Sequence, residues 1–176
     1  MKKLLILLTA AVMAVSAAFA DEAPETLLAG DGITLGMSQS ALISVFNGIP
    51  YEIESEHTHG PVSFLEVELE NQDVCGLPAD VHYLFAGGAL VGLELDFGDS
   101  RNAYGQVRAL LVEHYGEPSA VDTALLGNGI YAVDDDGRLE AGAEAWTVGN
   151  TMIVLEKDND GEANLGVVDV SAPFVR

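Results

Sequence analysis

Two rows of acidic side chains give this sequence its clearest chemical pattern. Glu66, Glu68 and Glu70 occupy every second position of an apolar segment, and Glu94 and Asp96 repeat the pattern further along the chain. Successive side chains of an extended strand point to opposite faces, so each row lies on one face. If the two strands share a sheet, the five carboxylates form a negative surface that attracts cationic partners. The alternative is the ordinary water-facing side of an antiparallel sheet.

Cys75 is the only cysteine, so the chain forms no internal disulfide. The thiol has three interpretations: a buried inert side chain, a disulfide to another molecule, or a nucleophile with His82 as its partner. The acidic neighbour Asp73 disfavours a thiolate and so argues against a nucleophile. No serine nucleophile motif or phosphate-binding glycine loop is present in the sequence. We therefore predict a non-enzymatic protein without catalytic residues or a cofactor, and keep a thiol-dependent enzyme using Cys75 as an alternative.

Three segments have the composition of cation-binding loops. His57 and His59 flank a threonine, but zinc sites need three or four ligands in recognisable spacing, and here only two imidazoles are visible. The acidic turns at 134–137 and 158–161 resemble calcium loops, yet the position that should carry the terminal acid holds Ala143 or Val167. We predict no metal site, and a periplasmic cation-binding protein stays a second alternative.

The first residues have the three parts of a secretory signal peptide. Lys2 and Lys3 precede an apolar run, and the small residues before Asp21 fit cleavage between Ala20 and Asp21. Removal of residues 1–20 takes away two lysines and no acid, which changes the formal net charge from −21 to −23. We expect a periplasmic or secreted protein without a stable membrane anchor. Its charge repels nucleic acid and anionic membrane surfaces.

Helix and strand signals occur twice along the mature chain. Residues 21–31 read as a flexible lead-in, and Ser38 then caps a helix that Gly48 ends. Strand patterns follow at 51–55, 62–70, 81–85 and 90–97. Ser100 caps a second helix that Gly116 ends, before strand patterns at 122–126, 130–133, 143–148, 151–156 and 165–170.

The two helix ends share a sequence pattern, ALISVFNGIP at 41–50 and ALLVEHYGEP at 109–118. The same order of elements follows each of them. We therefore predict an α+β fold made of two helix-plus-antiparallel-sheet repeats packed as one unit, the first over residues 32–99 and the second over residues 100–176.

The first helix and its flanks resemble a signature of bacterial envelope proteins, carried by Gly36-Met37-Ser38 and Gly48-Ile49-Pro50. This pattern resembles the SmpA/OmlA small-protein family, and the two-fold order is similar to the tandem-repeat proteins related to β-lactamase inhibitory protein. The resemblance implies binding, either in assembly or as a protein inhibitor that presents a sheet face. Two features depart from it, since the chain lacks both the lipid-anchoring cysteine of the first group and the disulfides of the second.

Together these patterns favour an exported, non-enzymatic binding or inhibitory module of the cell envelope. We expect its partner to be another envelope or secreted protein with a cationic surface, bound through the sheet face that carries Glu66, Glu68, Glu70, Glu94 and Asp96.

Overall fold

The computed structural model describes residues 23–59, 62–98, 100, 102–119, 143–157 and 162–172, with the backbone alone at 57, 59 and 62. The predicted signal peptide and its cleavage site lie outside these residues. So do the strands predicted at 122–126 and 130–133, and the acidic turns at 134–137 and 158–161.

Three helices and seven strands make up the described part of the chain. The helices are α1 (Pro24–Ala29), α2 (Gln39–Phe46) and α3 (Ala103–Tyr115). The strands are β1 (Glu52–His59), β2 (Val62–Val74), β3 (Leu77–Ala86), β4 (Ala89–Asp96), β5 (Glu144–Val148), β6 (Thr151–Lys157) and β7 (Ala163–Asp169).

All seven strands form one antiparallel sheet in the order β1-β2-β3-β4-β7-β6-β5. The predicted α+β fold of two helix-plus-sheet repeats is therefore wrong, because the molecule is mostly this single sheet with few helices. The physical reason lies at the centre of the sheet, where β4 pairs with β7 from Gly92 opposite Val168 to Asp96 opposite Asn164. The strands that follow α3 thus extend the sheet of the first half and do not form a second sheet.

The main core lies between the sheet and the helices. Leu42 and Phe46 of α2 and Val107 and Leu111 of α3 are buried there. On the sheet, this helix side presents two rows of buried side chains that run across neighbouring strands: Val67, Tyr83, Leu93, Val167, Ile153 and Trp146, then Leu69, Val81, Leu95, Leu165 and Leu155. The period-2 alternation predicted for these strands follows from this burial.

The opposite face of the sheet is here called the outer face, and it carries acidic side chains in one region and apolar side chains in another. A second buried apolar cluster includes Ala145, Met152, Val154 and Val168 of β5, β6 and β7, and it continues onto β3 and β4 through Ala86 and Val91. The acidic side chains lie on the remaining part of β1 to β4. The outer face therefore has an acidic part and an apolar part, and both reach β3 and β4.

Three irregularities in strand pairing shift the alternation of side chains, at 53–55 of β1, 69–72 of β2 and 90–92 of β4. In β4, Leu90 lies opposite Phe85 and Gly92 lies opposite Leu84, so Val91 is an extra residue. Strict alternation over 90–97 would place Val91 on one face with Leu93, but Val91 belongs to the outer-face apolar cluster.

The helix termini confirm part of the predicted capping. Ser38 precedes α2, and its Oγ accepts a hydrogen bond from the Ala41 amide at 3.3 Å. The last turn of α3 ends at Gly116, whose amide donates to the Val112 carbonyl. Ser100 is not the cap of α3, since Asn102 takes that position.

The segment expected to be a flexible lead-in contains helix α1 over residues 24–29. Pro24 stands in the first turn, where its fixed φ favours a helix. Leu28 is buried in the main core, and the buried Glu25 accepts a hydrogen bond from the Leu35 amide at 3.3 Å. Packing against the core stabilises this short helix more than the helix propensity of its residues does.

Candidate functional site

A histidine lies at the centre of the acidic half of the outer face. Strand pairing places His82 of β3 directly opposite Glu68 of β2 on one side and opposite Glu94 of β4 on the other. Directly opposed residues of antiparallel strands share a face, so this row carries two carboxylates around one imidazole. We call the group Glu52, Glu54, Glu66, Glu68, Asp80, Glu94 and Asp96 around His82 the acidic face.

Glu66 is held from both neighbouring strands. One of its carboxylate oxygens, Oε1, lies 3.1 Å from Nδ1 of His82, and the other, Oε2, accepts a hydrogen bond from the Ser55 hydroxyl at 3.0 Å. The hydrogen bond from Ser55 orients the carboxylate above β2, where it remains partly exposed. Glu66 is therefore oriented before any partner arrives, which lowers the entropic cost of binding.

The carboxyl groups of this surface disfavour each other's ionisation. Partial burial raises the pKa of Glu68, as do a hydrogen bond with the Glu54 carboxyl and the charges of Glu54 and Asp80, while His82 opposes the shift. Burial likewise raises the pKa of Glu94, with smaller contributions from Glu66 and Asp96 against the opposing effect of His82. The folded protein thus concentrates negative charge here at a cost in stability.

Neutralising Glu94 should stabilise the protein at neutral pH. A carboxyl whose pKa is raised on folding destabilises the native state once it ionises, and this penalty disappears as the pH falls toward the ordinary carboxyl pKa. We expect Glu94→Gln to raise Tm by about 1–4 °C at pH 7, with the gain vanishing near pH 4. Thermal melts across this pH range, with Glu113→Gln on α3 as control, provide the measurement. A gain that does not depend on pH would contradict the electrostatic explanation.

Two of the five acids predicted for the binding surface have less central positions. Glu70 is exposed at the irregularity of β2, beyond the last regular pair of that stretch, Leu69 with Val81. Asp96 lies opposite Asp80 on the acidic face, and its Oδ1 accepts a hydrogen bond from the Gly98 amide at 2.7 Å. The structure thus brings Glu66, Glu68 and Glu94 together around His82, with Asp96 at the end of the strand and Glu70 at the margin.

In the described part of the chain, Arg and Lys occur at Arg108 and Lys157 alone, and neither neutralises the acidic face. Arg108 of α3 donates from Nε to Glu144 Oε2 at 2.6 Å and from Nη2 to Glu144 Oε1 at 3.1 Å, on the helix side of the sheet. Lys157 is paired with Ala163, a residue of the helix-side core. His82 is therefore the group of this face that can carry a positive charge, among the residues described.

Cys75 and His82 are not brought together. Cys75 is exposed in the turn between β2 and β3 with φ +54°, and its Sγ lies 3.7 Å from the Leu27 carbonyl oxygen of α1 on the helix side. His82 lies on the outer face. Cys75 instead borders a cavity of about 210 Å³, whose walls include Leu27, Ile33, Phe46, Leu69 and Tyr83.

The candidate cation ligands form no metal centre within the residues that the structure describes. His57 and His59 belong to strand β1 and not to the loop expected from the sequence. No group of three or more His, Cys, Asp or Glu side chains in the described ranges has an arrangement that could hold a metal ion.

Sequence reasoning missed four members of the acidic face. His82 stands between Val81 and Tyr83 in a strand recognised from its apolar residues, and this alternation could have placed it on the outer face. Its position between Glu68 and Glu94, however, depends on strand register, which the irregularities in β2 and β4 alter. Glu52, Glu54 and Asp80 were missed for the same reason, since pairing between distant strands brings them to the acidic face.

Comparisons with known proteins add no assignment. No family model matches this chain, and neither the curated proteins nor the solved structures yield a match. The resemblance to the SmpA/OmlA family and to proteins related to β-lactamase inhibitory protein therefore stays a prediction.

Proposed function

We propose that this chain is an exported, non-enzymatic binding or inhibitory module of the cell envelope, and that its acidic face binds a protein partner with a cationic surface. One observation carries the proposal: strand pairing gathers carboxylates from neighbouring strands around His82, although like charges next to each other are unfavourable in a sheet. In natural sequences, such local conflicts are expected mainly at functional sites.

The carboxylates of the acidic face favour a partner with Lys and Arg side chains. Partly exposed carboxylates accept charge-assisted hydrogen bonds from Lys and Arg side chains, and Arg can bind them in a bidentate manner. A formal net charge of −21 for the whole chain adds long-range attraction for cations and repels nucleic acid and anionic lipid. The partner is thus a basic protein surface and not a nucleic acid or a membrane.

Export is the part of the proposal that depends on the sequence pattern of residues 1–20. Among the described helices, none has the length and apolar character that a membrane crossing requires. The partner we propose is accordingly an envelope or secreted protein, which the exported chain meets after cleavage at Ala20.

Affinity capture with residues 21–176 as bait tests the proposal. Envelope and secreted fractions of the producing organism would be passed over the bait at about 0.05 M and about 0.5 M salt, since ionic screening lengths differ roughly threefold between these conditions. We expect one stoichiometric protein with a basic surface, bound at low salt and released at high salt. A blank, or a partner whose retention is independent of salt, would contradict the acidic face as binding surface.

A further inference from the structure

Strand β1 forms one edge of the sheet, and its outer side has no neighbour in the part of the chain that the structure describes. Its strand partner is β2, and no isolated bridge or loop hydrogen bond reaches it from other described residues. The opposite edge differs, because the Ser119 amide donates to the Ala145 carbonyl of β5 at 2.9 Å. An edge strand of eight residues presents alternating backbone N–H and C=O groups that can pair with another strand.

Around Ile53 the two sides of this edge have opposite chemistry, whereas Glu56 further along the strand lies on the helix side, opposite Leu65. On the outer face, Glu52 lies opposite Glu68, and Glu54 shares a hydrogen bond with Glu68. On the helix side, Ile53 lies opposite the buried Val67 and is 53% exposed. The large apolar residues classed as exposed in the described chain are Val45, Ile49, Tyr51 and Ile53. We call these four the apolar ledge.

The ledge is continuous with the helix-side core. Val45 and Ile49 border the cavity of about 210 Å³, and the Tyr51 ring lies 5.9 Å from that of Phe46, measured between centroids. Exposed apolar residues grouped next to an open strand edge are typical of interaction sites.

From this geometry we propose that the cationic partner binds by adding an extended segment along the edge of β1, with Lys or Arg side chains alternating with apolar ones. The inference rests on the proposed function and specifies how the acidic face is used. Alternate side chains of the added strand point to opposite faces. The basic ones would meet Glu52, Glu54 and Glu68, while the apolar ones would meet Ile53 and the ledge, and backbone hydrogen bonds would supply affinity.

The acidic residues of β1 favour a cationic segment at this edge and disfavour a second copy of this chain. Pairing two β1 strands antiparallel in a register centred on Glu54 would place the Glu54 side chains of the two copies opposite each other. Like charges directly opposite each other destabilise a sheet. The irregularity between Ile53 and Ser55 further disfavours indiscriminate edge pairing, because such bulges increase local twist.

An eight-residue peptide of alternating Lys and Val, capped at both ends, is the probe, since it matches the length of β1. One control peptide has the same composition with the four Lys and four Val in separate blocks, and another alternates Glu with Val. Binding to residues 21–176 would be titrated at low salt, and amide hydrogen exchange would be followed in the free and bound protein. We expect the alternating Lys peptide to bind at least about tenfold more tightly than the block peptide, with new protection confined to β1 amides.

The variant Ile53→Thr, which keeps a β-branched residue, should lower the affinity for the alternating Lys peptide about fivefold.

The possible outcomes separate this inference from the proposed function. Equal affinity for the two Lys peptides, with β1 amides exchanging as in the free protein, would overturn strand addition and leave the acidic face as binding surface. Protection that appears at β5 in place of β1 would also overturn it. Failure of both Lys peptides to bind, or equal binding of the Glu peptide, would overturn the proposed function itself.

Discussion

Replacing Glu66 and Glu68 together by lysine should weaken binding of the captured cationic partner by about a hundredfold or more. The two carboxylates lie side by side with His82 on the acidic face, and Glu66 is already oriented by Ser55. Reversal removes two attractive contacts and introduces two repulsive ones toward the same partner groups. Calorimetric titration at about 0.15 M salt, with far-UV circular dichroism to verify folding, provides the measurement.

A matched variant separates local contacts from overall charge. Asp31→Lys with Glu113→Lys produces the same change in net charge at two exposed positions outside the acidic face. Because the Debye length at this salt concentration is about 8 Å, we expect the control to lose less than about threefold in affinity. Equal losses in the two variants would mean that net charge and not the acidic face governs binding.

Leu165→Ala should destabilise the whole protein by about 2–5 kcal/mol, the largest stability effect that we expect. Leu165 has no exposed area and lies at the centre of the sheet, opposite Leu95 of β4 and Leu155 of β6. Truncating it opens a cavity at the junction between the strands that precede α3 and those that follow it. Urea unfolding, followed by far-UV circular dichroism and by the fluorescence of the single Trp146, gives the free energy of unfolding.

The same experiment tests the continuity of the sheet. Trp146 reports on β5, whereas circular dichroism reports on all strands, so one cooperative unit gives coincident transitions. The exposed Val45→Ala on α2 is the control, and we expect it to change stability by less than about 1 kcal/mol. Two separate transitions in the wild-type protein would contradict a single folding unit.

The sequence was most informative where local rules determine structure. Alternation of Leu and Val with Glu located β2. Gly87-Gly88 and Gly149-Asn150 occupy the turns after β3 and β5, and such residue pairs are typical of hairpin turns. Ser38 and Gly48 bounded α2 correctly. Each of these signals depends on the conformational preferences of a few neighbouring residues, which a sequence records directly.

Features set by distant contacts could not be predicted in this way. The repeated helix endings suggested two separate repeats, because nothing in either segment indicates that β4 would pair with β7. Helix α1 is only six residues long, too short for a clear helical pattern, and it packs on the core through the buried Leu28. The same holds for the acidic face. The sequence pattern identified Glu66, Glu68 and Glu94, whereas the position of His82 among them depends on the register in which the strands pair.

The His82 imidazole offers the most direct test of the acidic face as binding surface. Its ring signals would be followed by ¹H–¹³C NMR as the alternating Lys–Val peptide is added to the mature protein, with His114 of α3 as internal reference. We predict that the His82 signals shift and saturate with the peptide, while those of His114 stay in place. Unchanged His82 signals during demonstrated binding, or equal shifts at both histidines, would contradict the acidic face as the site of recognition.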